Sequence, residues 1–352
     1  MNIKDAQAAL NTVISKSRVH LYKPIQIAEI LHHHRTKKNF DISNLEDYRT
    51  KSRQWRDKIC LEFLGRVSTS SSRYQDDLFN ENAIPPKALK ALAKENCEKN
   101  GIVEAYIYAK FYDRFTQMSS GLSYCNSHSQ INFQLQEFLD LFWTDAGLRR
   151  SIDKIYEIVV YSLFSAIVDA LGVTIEVKLD PKRLNILNEF NDFAIKILAL
   201  SNTNSSIQFP AKLNRVGVTN AADRGLDMWA NFGLAIQIKH LSLTEELAEN
   251  IVSSVSSDRI VIVCKESEKN VILSLLNQIG WKSKIQSIVT ETDLLAWYEK
   301  ALRGKNASLI ASKVLTNLRE EIQVEFPATD NDKFKAFIQN RGYEEFFKMF
   351  TK

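Results

Sequence analysis

Through the first 150 positions apolar residues recur at three- and four-residue spacing, the period of an amphipathic helix. The segments AQAALNTVIS, KPIQIAEILHHH, LEDYRTKSRQWRDKICLEFLGR, PPKALKALAKENCEKN and VEAYIYAKFYDRF each read as helix. The polar stretches STSSSRYQDD (68–77) and SYCNSHSQIN (123–132) read as loops between them. Pro85 and Pro86 suit a helix start, because the first turn has no use for amide donors. From about residue 151 the period changes. A long helix over 151–171 leads into an alternating strand, VTIEVKL, and then a helix after Pro181, KRLNILNEFNDFAIKILAL. Two short strands follow within RGLDMWANFGLAIQIKHLSL, residues 224–243. TEELAENIVSSV is a helix capped by Thr244, and RIVIVCK is a buried strand, nearly all apolar and β-branched. SEKNVILSLLNQIG is a helix closed by Gly280, KIQSIVT a strand and TDLLAWYEKALRG a helix. Strands alternating with helices predict an α/β fold, a mixed sheet flanked by helices. The chain therefore divides into a mostly helical region 1–150, an α/β core 151–304 and a helical extension 305–352.

Charge changes this picture at one end. The net charge is +4, but residues 1–75 hold fourteen Lys/Arg against seven Asp/Glu, leaving the remainder slightly acidic. A basic end on a near-neutral body points to a polyanionic partner. No apolar run is long enough to cross a membrane without a charge, since IYEIVVYSLFSAIVDALGV contains Glu157 and Asp169. The start, MNIKDAQAALNTV, lacks the apolar core of a signal peptide. Cys60, Cys97, Cys125 and Cys264 lie far apart with no Cys-x-x-Cys pair, which predicts reduced thiols and a cytoplasmic protein. His32, His33 and His34 are consecutive on a helix and so point in different directions. A surface helix end is expected there rather than a metal site.

The hairpin in 224–243 carries the candidate chemistry. A three-residue loop Asn231–Phe232–Gly233 places Gly233 in the left-handed position that such loops favour. Ala230 then opposes Leu234, Asp227 opposes Gln237, and Gly225 opposes Lys239. Opposed residues share a face, and so do residues two apart on one strand. The carboxylate, the carboxamide and the ammonium are thus expected on one side, with Leu226, Ile236 and Ile238 on the other. A loop one residue longer or shorter would scatter them. Phosphodiester cleavage needs a hard cation that neutralises phosphate charge and acidifies water. Asp227 is the anionic ligand in this reading, with Gln237 and the carbonyl of Ile238 as neutral oxygen ligands. Lys239 holds the attacking water and stabilises charge on the phosphorane. The pattern D…QxK is short and permissive, and a solvated hairpin face is the alternative.

With a helix carrying Glu157 before it and helix then strand after it, GLDMWANFGLAIQIKHL resembles the PD-(D/E)xK nuclease core over residues 151–265. Gln237 looks like the glutamine variant of that family's second acid. The resemblance makes Glu157 a further candidate metal ligand, with Asp223 as a substitute. Lys154, Glu157, Tyr161, Ser165 and Asp169 also form one polar stripe, so a solvent-facing Glu157 is the alternative. The combination of AADRGLDMWANFGLAIQIKHLSL, LYKPIQIAEIL, YRTKSRQWRDKICLEFLGRVSTSSSRYQDDLF and VEAYIYAKFYDRF resembles the HaeII-type family of type II restriction endonucleases over nearly the whole chain. That resemblance implies Mg²⁺-dependent cleavage of double-stranded DNA at a short palindrome, with purine-GCGC-pyrimidine as the namesake target. It also implies a cognate methyltransferase that protects the host.

For DNA contacts the sequence offers Arg49, Arg53 and Arg56, one stripe at i, i+4 and i+7, flanked by Lys51 and Lys58. Glu46, Asp47 and Asp57 balance them if the face is simply solvated. Arg73 and Gln75 end the first polar loop and suit guanine and adenine edges. Asn126 and Gln130, in the second loop, are further candidates. A palindromic target suggests a two-fold homodimer, although no seam is visible in the sequence. A repair or structure-specific nuclease, or an inactive DNA-binding protein on the same core, are the competing readings. There is no G-x-x-x-x-G-K-[ST] phosphate loop and no G-x-S-x-G elbow.

Overall fold

The helical period of the first 144 residues becomes the helices Ile3–Lys16, Tyr22–Lys37, Arg49–Leu64, Pro86–Glu98, Ile102–Ser127 and Leu135–Thr144. A computed structural model of the chain describes all residues except 18–19, 38–39, 69, 145–151, 217–225, 241, 256, 258, 267–283, 327–330 and 352. Among the described residues no helix is long and apolar enough to cross a membrane. The molecule forms two compact units. One joins the described residues of 1–155 to those of 318–352, and the other lies between 156 and 317.

The first unit closes over one apolar core. Phe334, Phe337 and Ile338, at i, i+3 and i+4 on the helix Asn331–Asn340, bury in the same cluster as Ile25, Phe63 and Phe111. Phe63 meets the rings of Phe334 and Phe337 edge-on at 5.2 and 5.1 Å. The unit also buries charge, which is tolerable only where it is paired. Glu104 is fully buried and accepts from His32 Nδ1 at 3.1 Å, Arg35 Nε at 2.9 Å, Asn96 Nδ2 and the hydroxyl of Tyr343. Burial pushes its carboxyl pKa up, but these donors outweigh that and hold it down at about 2. Glu29 likewise accepts from Arg341 at 3.1 Å and Tyr108 at 2.6 Å.

The second unit contains two sheets. β1 (Thr174–Lys178) and β2 (Ser206–Pro210) form an antiparallel ribbon with Glu176 opposite Gln208. β3 (Leu213–Arg215), β4 (Met228–Ala230), β5 (Leu234–Lys239), β6 (Ile260–Cys264) and β7 (Ile285–Thr290) form a five-stranded sheet in that order. β3, β4 and β5 are antiparallel neighbours, whereas β5, β6 and β7 run parallel. A parallel step needs a crossover, and the helix Glu245–Ser254 provides it between β5 and β6. Its start is capped as the sequence predicts, with the Thr244 side chain accepting from the Leu247 N–H. Ala248 and Ile251 of this helix cover Ala235, Ile260, Ile262 and Cys264 on one face of the sheet. All five residues of β6 are buried, which explains their apolar run.

VTIEVKL is a strand as expected, but it pairs with β2 in the separate ribbon, and the antiparallel part of the larger sheet starts at β3. β2 and β3 escape the sequence pattern because Pro210 interrupts SSIQFPAKLNR and β3 is only three residues long. The helix after Pro181 is not continuous. It breaks into a 3₁₀ turn Pro181–Arg183, a helix Leu184–Glu189, a turn Asn191–Phe193 and a π turn Ala194–Leu198. The helix expected over 267–280 lies outside the described residues.

Candidate active site

The turn between β4 and β5 is the expected three-residue loop, with Gly233 at φ 84°. Only glycine adopts that conformation without cost to a Cβ, so the residue fixes the loop length. The register follows: Ala230 opposes Leu234, Trp229 opposes Ala235 and Met228 opposes Ile236. One further step sets Asp227 against Gln237.

The three polar groups converge. The Asp227 Oδ2 accepts from Gln237 Nε2 at 2.5 Å and from the Ile238 backbone N–H at 2.8 Å. The Lys239 ammonium lies 3.7 Å from the same oxygen. Gln237 is 3% exposed, whereas the Asp227 and Lys239 side chains keep 16% and 33% of their surface open to solvent. The cluster is therefore rooted in the sheet and reachable from outside. Within a strand the N–H and C=O of one residue face the same neighbour. The Ile238 carbonyl accordingly faces the Asp227 side, as its N–H does.

The donor set fits a hard divalent cation. Its ligand atoms are oxygens: a carboxylate, a carboxamide and a backbone carbonyl. Gln237 Oε1 is buried and has no hydrogen-bond partner among the described residues. A buried acceptor in that state is costly, and cation ligation relieves the cost. No group of three or more His, Cys, Asp or Glu side chains gathers among the described residues.

Glu157 is not solvent-facing. It is 4% exposed on the helix Ile152–Ala170, and its Oε2 lies 3.8 Å from Arg215 Nη1. Arg215 opposes Met228, which opposes Ile236, so by register it belongs to the face away from Gln237 and Lys239. The solvent-facing alternative for Glu157 is thereby corrected: its carboxylate is buried beside the Arg215 guanidinium. Nothing in the sequence pattern marked Arg215, because its strand was not legible. Asp223 lies outside the described residues.

The basic stripe is split by burial. Arg56 is 1% exposed and donates to Asp57 Oδ1 and to Gln26 Oε1, so its assignment to a phosphate-facing stripe is corrected to a core role. Ser52, Arg56, Ile59 and Phe63 form the buried stripe of the helix Arg49–Leu64. Arg49 and Arg53 are half-buried, with Arg49 paired to Glu46 at 2.9 Å. Arg73 and Gln75 lie on a short helix, Ser72–Asp76, capped by Ser71, rather than in a loop. Arg73 is exposed, and Gln75 donates to the Ser70 carbonyl. Asn126 is exposed in the last turn of the helix Ile102–Ser127, and Gln130 is exposed in the turn beyond it. The three histidines diverge as expected but are not fully on the surface. His32 meets Glu104, and His33 stacks on Trp55 at 3.9 Å.

No solved structure matches the chain. The type II restriction enzyme HaeII of Haemophilus aegyptius is 62% identical over 344 residues, 98% of each chain. The type II restriction enzyme NgoBI of Neisseria gonorrhoeae is 58% identical over 347 residues, again 98% of each chain. The model of the HaeII restriction endonuclease family matches residues 6–343. An alignment with such enzymes almost end to end leads to one conclusion: the chain belongs to the HaeII restriction endonuclease family and is a type II restriction endonuclease.

Proposed function

We propose that this enzyme cuts double-stranded DNA at a short palindrome, using Mg²⁺ held by Asp227, Gln237 and the Ile238 carbonyl in a PD-(D/E)xK-type core. The observation that carries the reading is the convergence of Gln237, Ile238 and Lys239 on one carboxylate oxygen of Asp227. A divalent cation, when bound, neutralises phosphate charge and lowers the pKa of water. Asp227 supplies the one formal negative charge that draws it in. Gln237 turns its buried oxygen to it at no charge cost. Lys239 keeps an ammonium at the mouth of the site, where it positions the attacking water and stabilises charge gathering on the phosphorus oxygens. Ile236 and Ile238 keep the other side of the strand dry.

Arg49 and Arg53 of the basic N-terminal region contact phosphates in this reading, while Arg73, Gln75, Asn126 and Gln130 approach base edges. The palindrome calls for a homodimer with one site per strand, and a cognate methyltransferase protects the host sequence. The target proposed is that of the family's namesake, purine-GCGC-pyrimidine. Incubation of plasmid with the enzyme and Mg²⁺ tests the reading, followed by run-off sequencing of the cut ends. Discrete fragments with ends at one palindrome, abolished by chelator, support it. Cleavage that continues in chelator, or ends scattered without a common sequence, overturns it.

A further inference from the structure

The five-stranded sheet is covered unevenly. The helix Glu245–Ser254 packs on Ala235 and on β6, and its cover ends at β5. One strand further, Trp229 of β4 stands opposite Ala235 and is 44% exposed. Of the described tryptophans Trp229 alone is exposed, whereas Trp55, Trp143 and Trp297 are half-buried. Its neighbours across the pairing, Asn214 and Ala235, are small and leave the ring bare. Among the described residues no ring contact or hydrogen bond engages its indole. So large an apolar surface left in water is unused binding surface. Register places it beside the cutting site. Ala235, Gln237 and Lys239 alternate onto one face of β5, and Trp229 and Asn214 share that face through their pairing with Ala235. Lys212, exposed one residue before β3, joins them, because its carbonyl accepts from the Asn231 N–H and continues the register. Four levels follow along the strands: Lys212, then Trp229, then Asp227 with Gln237, then Lys239. At roughly 3.3 Å a residue, successive levels stand about 6.6 Å apart and the four span about 20 Å. Phosphates of one DNA strand recur at about 3.4 Å of axial rise, so the face matches about six nucleotides.

We propose that this face is the track of the cleaved strand, on which the indole of Trp229 packs against the deoxyribose of a nucleotide one or two steps from the scissile phosphate and Lys212 holds a phosphate beyond it. The proposal rests on the reading of Asp227, Gln237 and Lys239 as the cutting site, and adds the residue that positions the strand there. The order of groups selects the backbone as the ring's partner. Ammonium groups at both ends of the face attract phosphates, and the apolar ring lies between them, as a sugar lies between phosphates. The bases of a duplex offer only their edges, and unstacking one to expose its face is costly. A sugar contact carries no sequence information. Trp229 therefore acts on the rate of cutting, through the placement of the scissile phosphate, and leaves the choice of target unchanged.

Two measurements on the full chain test the proposal: single-turnover cleavage of plasmid in Mg²⁺, and tryptophan emission on adding, without Mg²⁺, a duplex that carries the wild-type cut site. Trp229→Thr keeps a strand-forming side chain without the ring, and is expected to cut about 100-fold more slowly at unchanged positions, with an unchanged thermal melt. Trp229→Phe restores an aromatic face and is expected to cut within about fivefold of the wild type. Lys212→Ala is expected to lower the slope of log K for DNA against log salt by about one. The duplex is expected to shift the emission of the wild type, and the shift is expected to vanish in Trp229→Phe although four of the chain's five tryptophans remain. Wild-type cutting by Trp229→Thr, a loss that phenylalanine does not restore, or an emission shift that persists in Trp229→Phe overturns the proposal. An unchanged salt slope removes Lys212 from the track. Asp227→Ala run alongside separates the two readings: normal cutting by that variant overturns the site itself, while the emission shift still reports whether DNA covers Trp229.

Discussion

The side-chain amide of Gln237 donates to Oδ2 of Asp227 at 2.5 Å, and its other polar atom, Oε1, lies buried with no hydrogen-bond partner among the described residues. The amide nitrogen thus meets the carboxylate, and the amide oxygen is left to take another partner. Gln237→Glu replaces that attraction with two carboxylates side by side. In chelator the variant is expected to lose on the order of 1–3 kcal/mol, lowering Tm by several degrees. Mg²⁺ then raises its Tm by more than it raises that of the wild type, since only the variant has a repulsion for the cation to relieve. Equal Mg²⁺ shifts in a thermal melt contradict direct ligation at position 237.

The Glu157–Arg215 pair makes a separate expectation about stability. Both side chains are about 95% buried, so removing one partner strands the other's charge. Arg215→Ala is expected to cost about 3 kcal/mol in chemical denaturation. Glu157→Gln costs less, because the carboxamide still accepts a hydrogen bond. It should leave the Mg²⁺ concentration for half-maximal cleavage unchanged. A tenfold shift in that concentration returns Glu157 to the ligand set.

In the helical unit, Glu104 has a depressed carboxyl pKa of about 2 against an ordinary 4.5. A carboxylate whose folded pKa is depressed stabilises the fold fully above its unfolded pKa, and that contribution fades as pH falls toward the folded value. On the order of 3 kcal/mol is therefore lost between about pH 4.5 and pH 2. Glu104→Gln is expected to flatten the fall of Tm from pH 5 to pH 3, and an unchanged slope contradicts it.

Arg53 and Arg56 differ in exposure although one helical stripe joins them. Arg53→Ala is expected to reduce the slope of log K for DNA against log salt by about one, with little effect on stability. Arg56→Ala is expected to unsettle the core through Gln26 and Asp57, with no change in that slope. Binding isotherms across a salt series distinguish the two, and a slope change with Arg56→Ala contradicts its core assignment.

The site was more legible in the sequence than the sheet around it. Gly233 and a three-residue loop fix the register, and register alone brings Asp227 to Gln237. Thr244, Pro86 and the apolar run of β6 announce their elements through local chemistry. β3 did not, because a strand of three residues has no period to read, and Arg215 was lost with it. Arg56 was misplaced because an arginine among polar neighbours reads as surface. The buried positions Ser52, Ile59 and Phe63, spaced around it by four, three and seven, were the signal that it belongs inside. The apolar spacing of 184–198 reads as one helix, and its breaks and outward-facing side chains have no local sequence signal.

In the proposed reading Asp227 organises the cutting site and is not needed for recognition. Plasmid cleavage by Asp227→Ala in Mg²⁺, measured beside its binding to the same DNA without Mg²⁺, tests that claim most directly. The expected result is a loss of cleavage of at least about 10³-fold with binding within a few-fold of wild type. Cleavage at the wild-type rate would contradict the assignment.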